Sequence, residues 1–198
     1  MILQRIIDIV FSIIFIIILS PIFLLIFFIN SIDGTPFFVQ SRLGKKGKEI
    51  KVIKFRSMKV NAEEILKSDK KLYKLYVDNN FKIPNKIDPR ITRFGNFLRK
   101  SSIDEIPQFF NVLKGDMSIV GPRPIVKDEL KNYSPSENLF LSVKPGITGL
   151  WQVSGRSTLT HKSRVNLDLD YIKRKNIFLD LYIILKTPIK ILKREGAY

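Results

Sequence analysis

The longest uninterrupted hydrophobic stretch lies near the N-terminus of the chain. From Ile9 to Ile29 there are 21 consecutive uncharged residues, mostly Ile, Phe and Leu. As an α-helix this stretch would be about 30 Å long, which is roughly the thickness of the hydrocarbon core of a bilayer. It is too long for the apolar region of a signal peptide, and no small-residue cleavage site follows it. The pattern predicts a helix embedded in a membrane.

Ser20-Pro21 falls in the middle of this stretch. Pro21 has no N–H, so the carbonyl of Ile17 loses its helical partner, and the Ser20 hydroxyl could replace it. The residues alone allow two shapes, a kinked transmembrane span or a helix that enters and leaves the same leaflet. In either case the positive-inside rule places the chain after residue 30 in the cytoplasm. Basic residues crowd that side of the stretch, against Arg5 alone on the other: Arg42, Lys45, Lys46, Lys48 and Lys51.

Beyond the apolar stretch, the pattern predicts a small β-hairpin followed by helices. Thr35 to Arg42 and Glu49 to Arg56 are β-prone runs joined by Gly-Lys-Lys-Gly, which is typical of a hairpin with a basic tip. Helices are predicted over about 61–80, 91–100, 103–113, 163–175 and 176–193. Residues 115–155 are rich in Gly and Pro turns, with only short elements between them. The expected fold class is therefore α+β and mainly helical.

The last of these helices has an apolar stripe opposite a basic face. The stripe contains Phe178, Leu181, Tyr182, Leu185, Ile189 and Leu192, and the basic face contains Lys186, Lys190, Lys193 and Arg194. Such a helix could lie on anionic lipid, or it could turn its stripe to the protein core. The neighbouring membrane segment favours the interfacial position.

Composition narrows the chemistry that the chain can perform. The 198 residues carry a formal charge of +16, which points to anionic partners such as phosphorylated substrates, anionic lipid or nucleic acid. There is no cysteine, which excludes disulfides, thiolate metal sites and a cysteine nucleophile. His161 is the single histidine, so any zinc site or histidine-based triad would depend on it alone.

The densest group of reactive side chains is the run from Arg99 to Gln108. Ser102 and Glu105 have the spacing of a helix capping box, which would be a purely structural role. In the functional interpretation, Asp104 and Glu105 stay ionised beside Arg99. One carboxylate could then attack phosphorus while the other holds a hard cation such as Mg²⁺.

Several motifs, taken in order and spacing, resemble the bacterial sugar transferase family, the small monotopic phosphoglycosyl transferases. The resemblance covers essentially the whole chain. It depends on Ser20-Pro21 within the apolar segment, on the C-terminal Gly196-Ala197-Tyr198, and on five motifs between them: Lys54-Phe55-Arg56-Ser57-Met58, the run from Ser102 to Ser118, Val120-Gly121-Pro122-Arg123-Pro124, Lys144-Pro145-Gly146-Ile147-Thr148-Gly149, and Trp151-Gln152-Val153-Ser154-Gly155-Arg156.

The resemblance implies transfer of a sugar-1-phosphate from a UDP-sugar to undecaprenyl phosphate, with release of UMP. Asp104 would be the nucleophile that forms a covalent phosphosugar intermediate, and Glu105 its partner, both holding Mg²⁺. The expected substrate-binding residues are Arg99, Pro122, Arg123, Gly155 and Arg156. Glucose or galactose is favoured over N-acetylated sugars, for capsule, exopolysaccharide, O-antigen or glycoprotein glycan assembly.

The resemblance also implies an architecture. Residues 1–32 would form a re-entrant membrane helix broken at Ser20-Pro21, and residues 33–198 a catalytic domain with interfacial amphipathic helices. That domain would lie on the cytoplasmic face of a bacterial inner membrane, in contact with lipid and without nucleic acid as a partner. A homodimer is left open, as is the role of residues 69–87.

Two other classes of function compete with the enzyme. The charge would also suit a non-catalytic, membrane-anchored basic module that binds anionic lipid or nucleic acid. The apolar segment by itself would suit a membrane-spanning scaffold with no chemistry.

Overall fold

The fold is α+β and mainly helical, as the sequence predicts. We describe a computed structural model that covers residues 2–32, 34–79, 83–85 and 87–193. The predicted helix end at Asn80, the basic residue Arg194 and the C-terminal Gly196-Ala197-Tyr198 lie outside the described residues. In chain order the elements are α1 (Ile2–Ile32), β1 (Phe37–Leu43), β2 (Glu49–Phe55), α2 (Ala62–Ser68), α3 (Lys70–Asp78), α4 (Arg93–Lys100), α5 (Gln108–Lys114), β3 (Ser118–Val120), α6 (Glu137–Phe140), β4 (Gly146–Thr148), α7 (Leu150–Ser154), α8 (His161–Arg174) and α9 (Ile177–Leu192).

The N-terminal apolar helix is continuous through Ser20-Pro21. No interruption of the helix is present at the expected break, because α1 is one helix from Ile2 to Ile32. The reason is local: the Ser20 hydroxyl donates to the carbonyl of Ile17 at 2.8 Å, which satisfies the acceptor that Pro21 leaves open. By length and composition α1 could cross a membrane.

Both ends of α1 are hydrogen-bonded to the globular part of the chain. Near its start, Arg5 donates to the carbonyls of Val112 and Leu113 at 2.5 and 2.7 Å, at the C-terminal end of α5. The buried Asp8 accepts from the hydroxyl of Ser118 and from a backbone N–H of β3. Near its end, Asn30 donates to the carbonyl of Arg56 at 3.0 Å. The helix is therefore tied to one body at two distant points.

The predicted hairpin is confirmed, and its inner face joins the main core. β1 and β2 pair antiparallel with Phe37 opposite Phe55 and Leu43 opposite Glu49. Ile50 and Val52 of β2 pack with buried side chains of α5, β3, α7, α8 and α9. At the other end of the strand, Phe55 packs with Ile26 of α1 and with residues of α4 and the turn that follows it. The hairpin thus links α1 to the helices that carry the candidate site.

A short parallel pair, which the sequence did not indicate, orders part of the turn-rich region. β3 pairs with β4 with Ser118 opposite Gly146 and Val120 opposite Thr148. The pairing requires close backbone approach, since a Cβ on Gly146 would lie 2.1 Å from the amide nitrogen of Gly121. Glycine at these two positions therefore lets the loop after β3 rest directly on β4.

The helix predicted over 61–80 is two helices. Asp69 lies between α2 and α3, and its carboxylate accepts from the backbone N–H groups of Lys71 and Leu72, so it caps the start of α3. Leu66 and Leu72 pack with Ile83 in a small cluster of their own. These residues form a hydrophobic cluster distinct from that of the main core.

The apolar stripe of α9 faces outwards. Phe178 and Leu192 are each 81% exposed and Leu185 is 71% exposed, whereas Ile183 and Ile184 on the other side are buried in the core. The alternative in which the stripe packs into the core is therefore wrong. An exposed apolar stripe of this size is suited to the membrane interface.

Candidate active site

A single large cavity brings most of the predicted site residues together. Its volume is about 670 Å³, and its walls come from the hairpin, α2 and α3, the end of α4, the turn after it, the loop around residues 121–126, and β4, α7 and the turn that follows α7. Among the described residues, ten cationic side chains and five carboxylates line it. The excess of positive charge suits ligands with several phosphate charges. Asp104, Glu105, Arg99, Arg123 and Arg156 all line this cavity.

The two carboxylates are carried by a short 3₁₀ turn, Ile103–Glu105, between α4 and α5. Ile103 and Ile106 pack into the cluster formed by α1, β2 and α4, which anchors the turn. The capping box predicted for Ser102 and Glu105 is not formed, because Ser102 makes no side-chain cap hydrogen bond. The turn is held by apolar packing, and its carboxylates are left for the cavity.

The environment pushes the pKa values of the two neighbouring carboxyls apart. Asp104 is only 7% exposed, and burial, reinforced by the charge of Glu105, raises its pKa to about 6 in spite of the nearby cations. For Glu105 burial also acts to raise the pKa, but the cations Lys54 and Arg123 outweigh it, so that the pKa lies below its usual value. Two adjacent acids with opposite shifts are typical of catalytic carboxylates.

Lys54 is a site residue that the sequence analysis did not assign. It lies on β2, and its ammonium group donates to Glu105 Oε1 at 2.5 Å. The signal was present, since Lys54 opens one of the motifs that carry the family resemblance. Pairing it with Glu105 requires the packing of β2 against the turn after α4, which residue spacing does not give.

The arginines of the cavity have buried donors without acceptors. Four guanidinium nitrogens are buried and make no hydrogen bond within the described part of the chain: Arg56 Nη1, Arg99 Nη1, Arg123 Nε and Arg156 Nη1. A buried donor left unpaired costs about 1–3 kcal/mol. Four such donors around one cavity indicate that an anionic ligand completes their hydrogen bonding.

Pro122 and Gly155, which were expected to bind substrate, are not among the described residues that line the cavity. Pro122 is buried, and its carbonyl accepts from the N–H of Gly146 at 2.9 Å, which fixes the loop that carries Arg123. A Cβ on Gly155 would lie 2.9 Å from the side chain of Leu159. Their visible roles are to shape the loops that present Arg123 and Arg156.

The segment whose role was left open, residues 69–87, contributes a wall of the cavity. Tyr73, Tyr76, Ile83 and Asn85 line it on this side. Arg90, just after the segment, is held by a bidentate ion pair with Asp88 at 2.8 Å and lies 5.7 Å from the ring centre of Tyr76. The wall therefore combines aromatic surface with a fixed positive charge.

Asp104 and Glu105 also offer the oxygen ligands that a hard cation prefers. The described residues contain no group of three or more His, Asp or Glu side chains placed to hold a metal. Mg²⁺ commonly binds through one or two carboxylates and takes its other ligands from substrate phosphates and water. A nearby cation would also offset the burial that disfavours the Asp104 charge. The donor set fits Mg²⁺ bound together with phosphate.

Comparison with known proteins identifies a family and several relatives that match nearly the whole chain. The profile of the bacterial sugar transferase family matches residues 1–194. The undecaprenyl-phosphate galactose phosphotransferase of Salmonella typhimurium is 46% identical, over 99% of this chain and 42% of its own length. The exopolysaccharide production protein ExoY of Sinorhizobium fredii is 38% identical, over 98% of this chain and 88% of its own length.

A third relative extends the range of sugars named among these proteins. The UDP-glucose:undecaprenyl-phosphate glucose-1-phosphate transferase of Escherichia coli is 38% identical, over 99% of this chain and 41% of its own length. The chain thus spans about two fifths of the length of the Salmonella and E. coli relatives. Since the profile match and these identities extend over nearly the whole chain, it belongs to the bacterial sugar transferase family.

Proposed function

We propose that this protein transfers a sugar-1-phosphate from a UDP-sugar to undecaprenyl phosphate and releases UMP. The observation that carries the proposal is the buried Asp104 carboxylate, which lines a cavity rich in arginine and lies next to Glu105. The names of the Salmonella and E. coli relatives describe transfers of this kind, with galactose and glucose respectively. Exopolysaccharide, capsule or O-antigen assembly would use the product.

Asp104 acts as the nucleophile in the first step. A carboxylate oxygen attacks the β-phosphorus of the UDP-sugar, and the bond from that phosphorus to the bridging oxygen breaks, so that UMP leaves. The phosphosugar remains on Asp104 as an acyl phosphate. Arg99, Arg123 and Arg156 stabilise the charge that develops on the phosphoryl oxygens.

The acceptor phosphate completes the reaction in the second step. An oxygen of undecaprenyl phosphate attacks the same phosphorus and releases the Asp104 carboxylate, which gives undecaprenyl diphosphosugar. Glu105, kept ionised by Lys54, can take a proton from a monoprotonated acceptor. Mg²⁺ held by Asp104 and Glu105 would neutralise phosphate charge when bound.

The lipid acceptor requires the site to lie at the membrane surface. Both ends of α1 are hydrogen-bonded to the same globular body, which supports a re-entrant helix rather than a span. The exposed stripe of α9 supplies a second apolar contact with lipid. By the positive-inside rule the catalytic part faces the cytoplasm, and we assign the protein to the bacterial inner membrane.

The test is UMP release by the purified, detergent-solubilised protein given undecaprenyl phosphate and a panel of UDP-sugars. We expect release with a UDP-hexose, loss of release with EDTA, and recovery with added Mg²⁺. Asp104→Asn should abolish both UMP release and the phosphosugar adduct, detected as a mass increase of the intact protein. Asp170→Asn is the matched control, because it removes a carboxylate that makes an exposed ion pair with Arg174 on α8. Normal turnover by Asp104→Asn would contradict the proposal.

A further inference from the structure

Two residues with unfavourable backbone conformations contact each other in the wall of the cavity. Among the described residues other than glycine, Lys46, Ser102 and Arg156 have positive φ, at 59°, 56° and 54°. Lys46 lies in the hairpin tip, whereas Ser102 and Arg156 line the cavity, and Arg156 Nη2 donates to Ser102 Oγ at 2.8 Å. Left-handed conformations are disfavoured for residues with a Cβ and persist where the surroundings enforce them, often at functional sites.

The hydroxyl of Ser102 accepts a hydrogen bond from Arg156 and does not cap the helical turn that follows it. Its spacing from Glu105 predicts a capping box, in which the two side chains would satisfy backbone N–H groups. In the structure both side chains bind cations of the cavity: Ser102 accepts from Arg156 and Glu105 accepts from Lys54. The serine that would begin the helix is thus committed to an arginine 54 positions later in the chain.

This contact provides a hydrogen-bond acceptor for only one of the two terminal nitrogens of the Arg156 guanidinium. Nη2 is fixed by Ser102, while Nη1 is buried and makes no hydrogen bond within the described residues. The acceptor that Nη1 lacks is of the kind a phosphate supplies, and Arg156 lines the same cavity as Asp104.

We propose that Ser102 is a positioning residue for donor binding: its hydroxyl holds the Arg156 guanidinium so that the remaining N–H groups can bind the diphosphate of a nucleoside diphosphate sugar. The inference rests on the proposed function and adds a residue to it. An arginine held in place loses less conformational entropy when it binds, so the effect belongs mainly in donor affinity, with a smaller part in the chemical step that Arg156 assists.

Substitutions at Ser102 can separate the effect of the hydroxyl on donor binding from the effect of the backbone strain. Ser102→Ala removes the acceptor. We expect it to weaken UDP binding and to raise the KM for the UDP-sugar about three- to tenfold, because one hydrogen bond is lost. The change in kcat should be smaller. Ser102→Gly relieves the backbone but also lacks the acceptor, so it should bind as weakly as Ser102→Ala. Ser102→Asn tolerates a positive φ and keeps an acceptor, and it should stay close to wild type.

A neighbouring serine and a double variant provide the controls. Ser101 donates its hydroxyl to the carbonyls of Phe97 and Leu98 at the end of α4, so Ser101→Ala removes the same group from the next position without touching Arg156. UDP binding should be unchanged in that variant. In an Arg156→Ala background, Ser102→Ala should have no further effect on UDP binding.

The measurement is calorimetric titration of UDP into the detergent-solubilised protein, with UMP release assayed in parallel. Wild-type affinity in Ser102→Ala, full recovery in Ser102→Gly, or equal losses with and without Arg156 would each overturn the inference. A wild-type protein that binds UDP but releases no UMP would refute the proposed function alone, and the UDP series would still decide the role of Ser102. Failure of the wild type to bind UDP would overturn the inference.

Discussion

The Asp104 carboxyl must be ionised to act as a nucleophile, and its surroundings oppose ionisation. Burial raises its pKa to about 6, so the ionised fraction falls quickly below that pH. We expect kcat/KM for UMP release to fall about tenfold per pH unit below pH 6 and to level off above about pH 7, as for a single titrating group. A pH series on the purified protein measures this. Activity that falls as the pH rises from 5 to 7 would contradict the assignment of Asp104 as nucleophile, because an ionised carboxylate is then the less active form.

The same shift has a consequence for stability, with a definite sign. A raised pKa means that the folded protein binds the Asp104 proton more tightly than the unfolded chain does, so stability is lost as the pH rises through about 6. Asp104→Asn does not titrate. We expect the difference in free energy of unfolding between this variant and wild type to shift by about 3 kcal/mol in favour of the variant as the pH rises from 3.5 to 8. This is the equivalent of a shift of about two pKa units. Unfolding followed by the fluorescence of Trp151 would show whether the difference depends on pH.

Single residues of the site were predictable from sequence where a local motif contains them. Asp104 and Glu105 are adjacent in the chain, and Arg123 lies in a stiff Gly-Pro turn, so their chemistry is visible without a fold. Lys54 and Ser102 acquire their roles through contacts with residues 51 and 54 positions away. Such contacts depend on how the hairpin and the loops pack, which residue types alone do not specify.

At the scale of elements, α1 depends on one hydroxyl at its proline. Ser20→Ala leaves the carbonyl of Ile17 without its donor, which we expect to cost about 1 kcal/mol or more in an apolar environment. Pro21→Ala restores the backbone donor, so in that background the Ser20 hydroxyl becomes redundant and its removal should cost almost nothing. Thermal unfolding of the four proteins in lipid nanodiscs completes the double-mutant cycle. Equal losses in both backgrounds would show that the hydroxyl does not compensate for the proline.

Helix boundaries were predictable where a capping residue lies at the edge of the helical pattern, and not where a capping residue lies inside it. α4, α8 and α9 begin at residues capped by Thr92, Thr160 and Asn176, close to the expected positions. The long helix over 61–80 was divided because Asp69 caps a new helix inside an otherwise helical pattern. The β3–β4 pair joins three-residue strands that are far apart in sequence, and no periodicity signals such a pair.

At the scale of the whole molecule, the attachment of α1 constrains how the protein can sit in a bilayer. The contacts at Arg5 and Asp8 tie its start to α5 and β3, and Asn30 ties its end to the hairpin. A helix that spans the bilayer would separate these two ends by the full hydrocarbon thickness, about 30 Å, with the globular body on one side only. The hydrogen bonds at one end would then have to break.

This conflict predicts that both ends of α1 are on the cytoplasmic side, and the chain is well suited to a direct test because it contains no cysteine. Single cysteines at Ile2 and at Lys48, both exposed, should react with a membrane-impermeant maleimide only after the cells are opened. A cysteine at Leu25, 61% exposed in the apolar stretch, should remain protected in membranes and react in denaturant. Lys48 is the internal control, since it belongs to the globular body under any topology. Labelling of Ile2→Cys from outside intact spheroplasts, with Lys48→Cys still protected, would establish a span and would require the contacts of Arg5 and Asp8 to be absent in the membrane.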